Sequence, residues 1–89
     1  MTAIVTVLGH DRVGIIAAVC TLLANRNVNI LDISQTILQG AFTMVMSVDI
    51  GACEIAFGEL AAELDELGKD MGLSIRIQRE GIFDAMHRI

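Results

Sequence analysis

The spacing of the apolar residues changes several times along the chain, and each change predicts a boundary between a strand and a helix. Residues 2–8 are short and mostly β-branched, which predicts a buried strand. From Gly14 to about Asn27 the spacing is helical and marks one helix face. The apolar positions of that face are Ile15, Ile16, Val19, Leu22 and Leu23. Asn27 is expected to end this helix, because Asn tolerates the left-handed conformation of a helix end.

A hairpin is predicted to follow the first helix. A second strand is expected from about Val28 to Leu38, and residues 39–41 form the turn, with Gly40 supplying a positive φ. The third strand alternates clearly between apolar and other positions, so one face is expected to meet the helices. That face comprises Phe42, Met44, Met46, Val48 and Ile50.

The remaining chain predicts a second helix, a fourth strand and a terminal helix. The helical spacing includes Cys53, Phe57, Leu60, Leu64, Leu67 and Met71. Gly72 is expected to close this helix, and residues 73–78 alternate again as a strand. Apolar residues at positions 82, 86 and 89 predict a short helix after Gly81.

The order of elements predicts an α+β fold, the ferredoxin-like βαββαβ sandwich. Four antiparallel strands form one sheet, and two helices cover one face of it. Residues 1–80 are expected to form the domain. Residues 81–89 are expected to form a helical tail that packs on the same domain or on its dimer mate.

Composition and charge narrow the class of partner. Hydrophobic residues make up 54% of the 89 residues, and so high a share in a short chain predicts burial against a second subunit. Six basic residues against eleven acidic ones give a net charge of −5. Nucleic acids and anionic membranes are therefore unfavourable partners, because binding to phosphates draws on clustered positive charge. Small molecules or other proteins are expected instead.

The two cysteines and the start of the chain indicate a compartment. Cys20 falls inside the first helix and Cys53 at the start of the second helical stretch, without a CxxC spacing. Isolated cysteines of this kind typically behave as small buried hydrophobic residues in a protein of a reducing compartment. The chain begins with a strand rather than a signal-like segment, so a cytoplasmic location is expected.

The loop between the first strand and the first helix is the main candidate for chemistry. It reads GHDRVG over residues 9–14. The first backbone N–H groups of a helix have no helical acceptor, so a small carboxylate could dock there. The alternative is structural: Asp11 caps the helix, and Gly14 eases a tight turn.

Several motifs in this order resemble the ACT domain, a small-molecule-sensing module attached to many enzymes of amino-acid metabolism. They read GHDRVGII (residues 9–16), NVNILDI (27–33) and FTMVM (42–46). The final segment, QREGIFDAMHRI (78–89), resembles single-domain bacterial and archaeal ACT proteins whose role is largely unassigned.

The resemblance implies a homodimer joined through the second strand, with amino-acid effectors bound between two subunits. On one side of such a site would lie the first loop, namely His10, Asp11, Arg12, Val13 and Gly14. On the other side would lie the second strand of the partner, namely Asn29, Ile30, Leu31 and Asp32. Many effector-binding members have proline where this chain has Val13, so its loop lacks that fixed φ.

Individual residues of this set have two interpretations each. Asp11 caps the first helix or accepts the ammonium group of an amino acid. Arg12 is solvated or clamps a carboxylate. Asn29 and Asp32 either protect an edge strand or complete a pocket with the loop of the neighbouring subunit.

Catalysis, metals and cofactors receive no support from the sequence. It shows no Ser-His-Asp set or phosphate-binding loop, and residues 9–14 lack the dinucleotide spacing. Asp84 and His87 lie three apart but would need further ligands to hold a metal. The sequence thus favours a dimeric amino-acid sensor. The alternatives are a ligand-free dimeric adaptor and, third, a fragment related to formyltetrahydrofolate deformylases.

Overall fold

The structure, a computed structural model, describes residues 1–79 and confirms the predicted order of elements. The strands and helices are β1 (Thr2–His10), α1 (Ile15–Asn25), β2 (Asn29–Leu38), β3 (Ala41–Asp49), α2 (Phe57–Met71) and β4 (Leu73–Arg79). The four strands form one antiparallel sheet in the order β2-β3-β1-β4. β2 and β4 are therefore the edges of the sheet.

The hydrophobic core lies between the two helices and one face of the sheet. Directly paired residues of an antiparallel sheet point to the same face. Val5 pairs with both Met46 and Ile77, and all three are buried. From the helices the core receives Ile15, Val19, Leu23, Leu60 and Leu64. The alternation predicted for β3 is confirmed for Phe42, Met44, Met46 and Val48, which are all buried. Ile50, predicted on the same face, lies after the last residue of the strand and is half-buried.

The turns follow the predicted chemistry. Gln39 has a φ of 54° and Gly40 a φ of 80°, so both central residues of the β2–β3 hairpin are left-handed, as a tight hairpin turn requires. Asn27, two residues after the last residue of α1, has a φ of 62°, and Gly72 has a φ of 70° at the end of α2.

The start of α2 was predicted too early. The helix begins at Phe57, and Ala56 before it is extended, with φ −64° and ψ 152°. Cys53 lies instead in a turn, where its amide donates to the Ile50 carbonyl oxygen at 3.1 Å. Cys53 and Ile55 pack against the core from this non-helical segment. Their apolar character therefore reflects burial, and it resembles the continuation of the helical pattern in the sequence. Both cysteines are free thiols.

Two further observations concern the chain as a whole. The predicted tail helix over residues 81–89 lies outside the described residues. Within residues 1–79, neither helix is long and apolar enough to cross a membrane.

We expect the backbone conformation of a glycine to determine whether its substitution by alanine stabilises or destabilises the protein. Gly14 has a φ of 91°, and a Cβ built on it would meet nothing within 4 Å. Gly14→Ala should lower the free energy of unfolding by about 1–2 kcal/mol, because L-residues are strained in this conformation. Gly58→Ala, equally unobstructed but within α2, should instead raise it by about 0.5 kcal/mol. Urea denaturation compares the two variants, and effects of the same sign would contradict this account.

We also expect Asp49 at the end of β3 to contribute to stability in a pH-dependent way. The Gly51 amide donates to Asp49 Oδ1 at 2.9 Å and holds the pKa of this carboxyl below its usual value. A lowered pKa in the folded state stabilises the protein above the unfolded pKa of about 4, and this contribution is lost as the pH falls through the folded value.

Asp49→Asn should therefore lower the melting temperature at pH 7, and its difference from the unmodified protein should shrink below about pH 4. Asp70→Asn, which changes an exposed carboxylate of α2, serves as the control. Melting curves that differ by the same amount at pH 7 and pH 2.5 would show that Asp49 acts without its charge.

Candidate functional site

The loop from Asp11 to Gly14 is exposed and is held at its start by the hairpin. The Asp11 amide donates to the carbonyl oxygen of Gly40, at a distance of 2.9 Å. The loop therefore lies beside the β2–β3 turn, at the end of the sheet where β1 finishes. Val13 is 98% exposed, which is unusual for a residue with a purely apolar side chain.

The N-terminus of α1 has no side-chain cap among the described residues. Gly14 occupies the N-cap position, and its carbonyl accepts from the Ala18 amide at 2.9 Å. Of the two alternatives for Asp11, the one in which it caps the first helix is therefore wrong. Gly14 adopts a left-handed backbone with ψ near 2°, instead of the extended conformation that lets a cap residue bond the first turn. The amides of Ile15, Ile16 and Ala17 have no acceptor within the helix, because the first helical hydrogen bond is donated by the Ala18 amide.

Arg12 has a role that the sequence did not reveal. Its Nη1 donates to the carbonyl oxygen of Met71 at 3.1 Å, and Met71 is the last residue of α2. Carbonyls at a helix C-terminus lack helical donors, and the helix dipole favours a cation there. Arg12 is exposed, but its guanidinium bonds to α2 and not to solvent alone. It joins the candidate loop to the end of the second helix.

A groove of about 290 Å³ runs between the start of α1 and the second half of β2. Small-molecule sites typically occupy about 300–1,000 Å³, so the volume of this groove lies at the lower limit for a small ligand. Its apolar lining includes Ile16, Ile37 and Phe42, while Asp11, Arg12 and Gln35 supply polar groups. Gln35 and Ile37 were not predicted as site residues. The predicted hairpin register could have revealed them, because it pairs the second half of β2 with the start of β3, which in turn pairs with the end of β1.

The predicted strand residues lie at the opposite end of the sheet from this loop. Asn29 pairs with Asp49, and Asp49 pairs with Thr2 at the start of β1. The loop begins after His10, which lies eight residues after Thr2 in β1. Eight residues of extended strand span about 26 Å. Within one chain the structure therefore does not bring the two predicted halves together.

A bulge in β2 determines which side chains face the helices. The register shifts between Ile30 and Asp32, so Leu31 is the additional residue. Ile30 pairs with buried Val48 on the helix-covered face. Asn29 and Asp32 pair with Asp49 and Ser47, which places both on the opposite, open face.

Two more predicted residues have exposed positions. Asp32 uses its Oδ1 to accept from the amide of Ile33, at 2.9 Å. His10 pairs with Ala41 at the end of β1, on the open face. The structure thus places Asp11, Arg12 and Gly14 on one groove, and His10 and Asp32 away from it.

The whole of β2 is unusually exposed for a strand with so many apolar residues. Ile30 is half-buried, and each of the other nine residues of the strand is exposed. Its exposed apolar side chains are Leu31, Ile33, Ile37 and Leu38, with exposed fractions of 40–69%. An exposed apolar edge strand is a template for pairing with another chain.

Beyond this groove, the described residues contain several ion pairs, one of which links the two helices, and no metal cluster. Arg26, just after α1, forms a two-point ion pair with Glu63 of α2, with Nε 2.8 Å from Oε1. This pairing raises the pKa of Arg26 above its ordinary value and links the two helices. Across residues 1–79 no group of three or more His, Cys, Asp or Glu residues could hold a metal ion.

Comparison with known proteins agrees with this architecture. The model of the ACT domain family matches residues 1–78. A UPF0237 protein of Clostridium acetobutylicum is 54% identical over 89 residues, which covers 100% of both chains. An ACT domain protein from Streptococcus pneumoniae has a TM-score of 0.82 and 40% identity, and the match covers 93% of each chain.

A formyltetrahydrofolate deformylase from Pseudomonas syringae has the same fold, with a TM-score of 0.80 and 23% identity. The match covers 86% of this chain but only 26% of the deformylase, so the likeness concerns one part of that enzyme and the fold alone. The family model and the full-length relatives lead to one conclusion. The chain belongs to the ACT domain family, a family of small-molecule-binding regulatory modules.

Proposed function

We propose that this protein is a homodimeric regulatory module that binds an amino acid or a similar small zwitterion between its two subunits. The observation that supports the proposal most strongly is the exposure of β2, an apolar edge strand whose outer side is open along its whole length. The β2 strand of a second, identical chain can pair with this edge, and the two chains then form a symmetric dimer in which neither β2 strand remains an open edge.

The geometry of such a pair would explain why the two predicted halves lie far apart in one chain. Two β2 strands that pair antiparallel about a two-fold axis place the Asn29 end of one beside the Leu38 end of the other. The Leu38 end is the end at which the Asp11–Gly14 loop lies, since Leu38 pairs with Ala41 and Ala41 with His10. Each dimer would then contain two identical sites.

The chemistry of the loop suits a carboxylate. The uncapped amides of Ile15, Ile16 and Ala17 and the dipole of α1 favour a negative group at this point. No side chain of the described residues competes for these donors as a cap.

The rest of the ligand would meet groups of both subunits. Asp11 is exposed, and its carboxylate is available to the ammonium group of the ligand. The bulge at Leu31 leaves backbone groups outside the regular ladder, so the partner strand would contribute carbonyls there. A ligand side chain would lie against Ile16, Ile37 and Phe42 in the groove.

The readout of binding would pass to a separate protein. The Clostridium acetobutylicum relative is matched over 100% of its length. A second function, a ligand-free adaptor, is supported by Val13, which exposes 98% of its surface in place of a rigid proline. An adaptor would use the same dimer but leave the groove empty.

We expect a charge at the middle of β2 to weaken the dimer. Ser34→Lys would place two like charges close together near the two-fold axis and should raise the dimer dissociation constant at least about tenfold. Ser74→Lys introduces the same charge on the same face of the sheet but on the other edge strand, β4, and should leave the dimer intact. Sedimentation velocity over a dilution series measures both. A stable monomer, or equal weakening by both variants, would overturn this interface.

We expect at least one member of a panel of the twenty amino acids and the common nucleobases to raise the melting temperature. A ligand at a hundredfold excess over its Kd should stabilise the protein by about 2.7 kcal/mol. Asp11→Ala should reduce that shift, whereas Glu66→Ala, which removes an exposed carboxylate of α2, should not.

The panel also separates the two candidate functions. A flat response from an intact dimer would reject the sensor and favour the adaptor. A shift that Asp11→Ala leaves unchanged would retain a sensor but place its site away from the loop.

A further inference from the structure

The face of the sheet opposite the helices has an apolar stripe across its two central strands. Ile4 pairs with Ser47 and Gln78, and Leu8 pairs with Thr43 and Ser74, so both lie on this open face. Val45 of β3 lies between them, opposite Thr6. Leu8 is 47% exposed and Val45 38% exposed, because the described residues provide no element over this face.

The chain leaves β4 beside one end of this stripe. Arg79 pairs with Ala3, and Gln78 pairs with Ile4 on the neighbouring strand. Arg79, the last described residue, therefore lies about one strand spacing, 4.8 Å, from β1. Ten residues, 80–89, continue from this point.

The sequence of those ten residues is amphipathic at helical spacing. Ile82, Phe83, Met86 and Ile89 fall on one side of a helical projection, and Asp84, His87 and Arg88 fall on the other. Gly81 precedes the helical segment and allows the reversal that a return over the sheet needs.

The dimensions of the stripe and of the tail match. A helix of residues 82–89 would be about 12 Å long, and Ile4 and Leu8 are separated by about 13 Å of strand. We propose that residues 80–89 fold back over the open face of their own subunit, with the apolar side of an 82–89 helix lying along Ile4, Val45 and Leu8. This tail is an integral layer of the domain, opposite the two long helices.

Two alternative surfaces fit less well. On the helix-covered side, a groove near Phe57 lies at the end of β4, but the guanidinium of Arg79 stacks over the Phe57 ring at 4.6 Å and covers the approach. A second copy added at β2 would begin about four strand spacings, or about 19 Å, from β4. The apolar stripe on the tail's own subunit begins on the adjacent strand.

Nuclear magnetic resonance on the full chain tests this placement. We expect nuclear Overhauser contacts from the Phe83 ring to the methyl groups of Leu8 and Val45. The backbone order parameters of residues 83–86 should be about 0.8, in the rigid range. Phe83→Ser should shift the Leu8 and Val45 methyl signals, lower the order parameters of the tail below about 0.6 and lower the melting temperature by at least about 4 °C.

The neighbouring variant Asp84→Ser is the matched control, because residue 84 falls on the polar side of the same projection. It should leave the methyl signals and the order parameters unchanged. Three results would overturn the placement: contacts of Phe83 with Ile55 or Phe57, order parameters below 0.6 in the unmodified tail, or contacts that appear only between differently labelled copies in a mixed sample. The last result would place the tail on the second subunit.

Discussion

Two helices stacked on one face of a four-stranded sheet leave β2 at an edge, with its outer hydrogen-bonding groups unmatched by any other strand of residues 1–79. This constraint follows from the strand order β2-β3-β1-β4, which puts the central strands β3 and β1 in the core. An edge with four exposed apolar side chains is unfavourable in water and prone to pair. The proposed dimer, the shared site and the response to a ligand all depend on how that edge is completed.

The loop before α1 is held by hydrogen bonds to residues that are distant in sequence, and it contains no proline. The amide of Asp11 bonds to the hairpin at Gly40, and the guanidinium of Arg12 bonds to the end of α2 at Met71. Gly14 then enters the helix through a left-handed backbone that leaves the first amides uncapped. These three features order the loop on both sides of Val13, so the loop retains a defined geometry without the fixed φ of a proline. They also connect the candidate site to both helices and to the hairpin.

Much of the fold could be predicted from the sequence, because period-two and helical spacing reflect the same one-sided burial that the structure shows. The β3 face, the Gln39–Gly40 turn and the helix ends at Asn27 and Gly72 depend on local preferences. The start of α2 could not be predicted in this way. Cys53 and Ile55 contact the core from a non-helical segment, so their apolar character does not distinguish this segment from the helix.

The site was less accessible to prediction because its geometry depends on tertiary contacts. Residues 29 and 32 would face opposite sides of a regular strand, but the bulge at Leu31 places both on the open face. Arg12 reaches a carbonyl that is 59 residues away in sequence, which no local pattern encodes. The groove residues Gln35 and Ile37 lie near the loop, but this proximity can be predicted only from the hairpin register.

Hydrogen exchange of the backbone amides of β2 tests the central claim most directly. If a second copy completes this edge, the outward amides between Ile33 and Thr36 should exchange as slowly as amides of the central strand β1 at high protein concentration, and faster on dilution. Outward amides that exchange at the rate of the exposed Arg12 and Val13 amides at every concentration would contradict it.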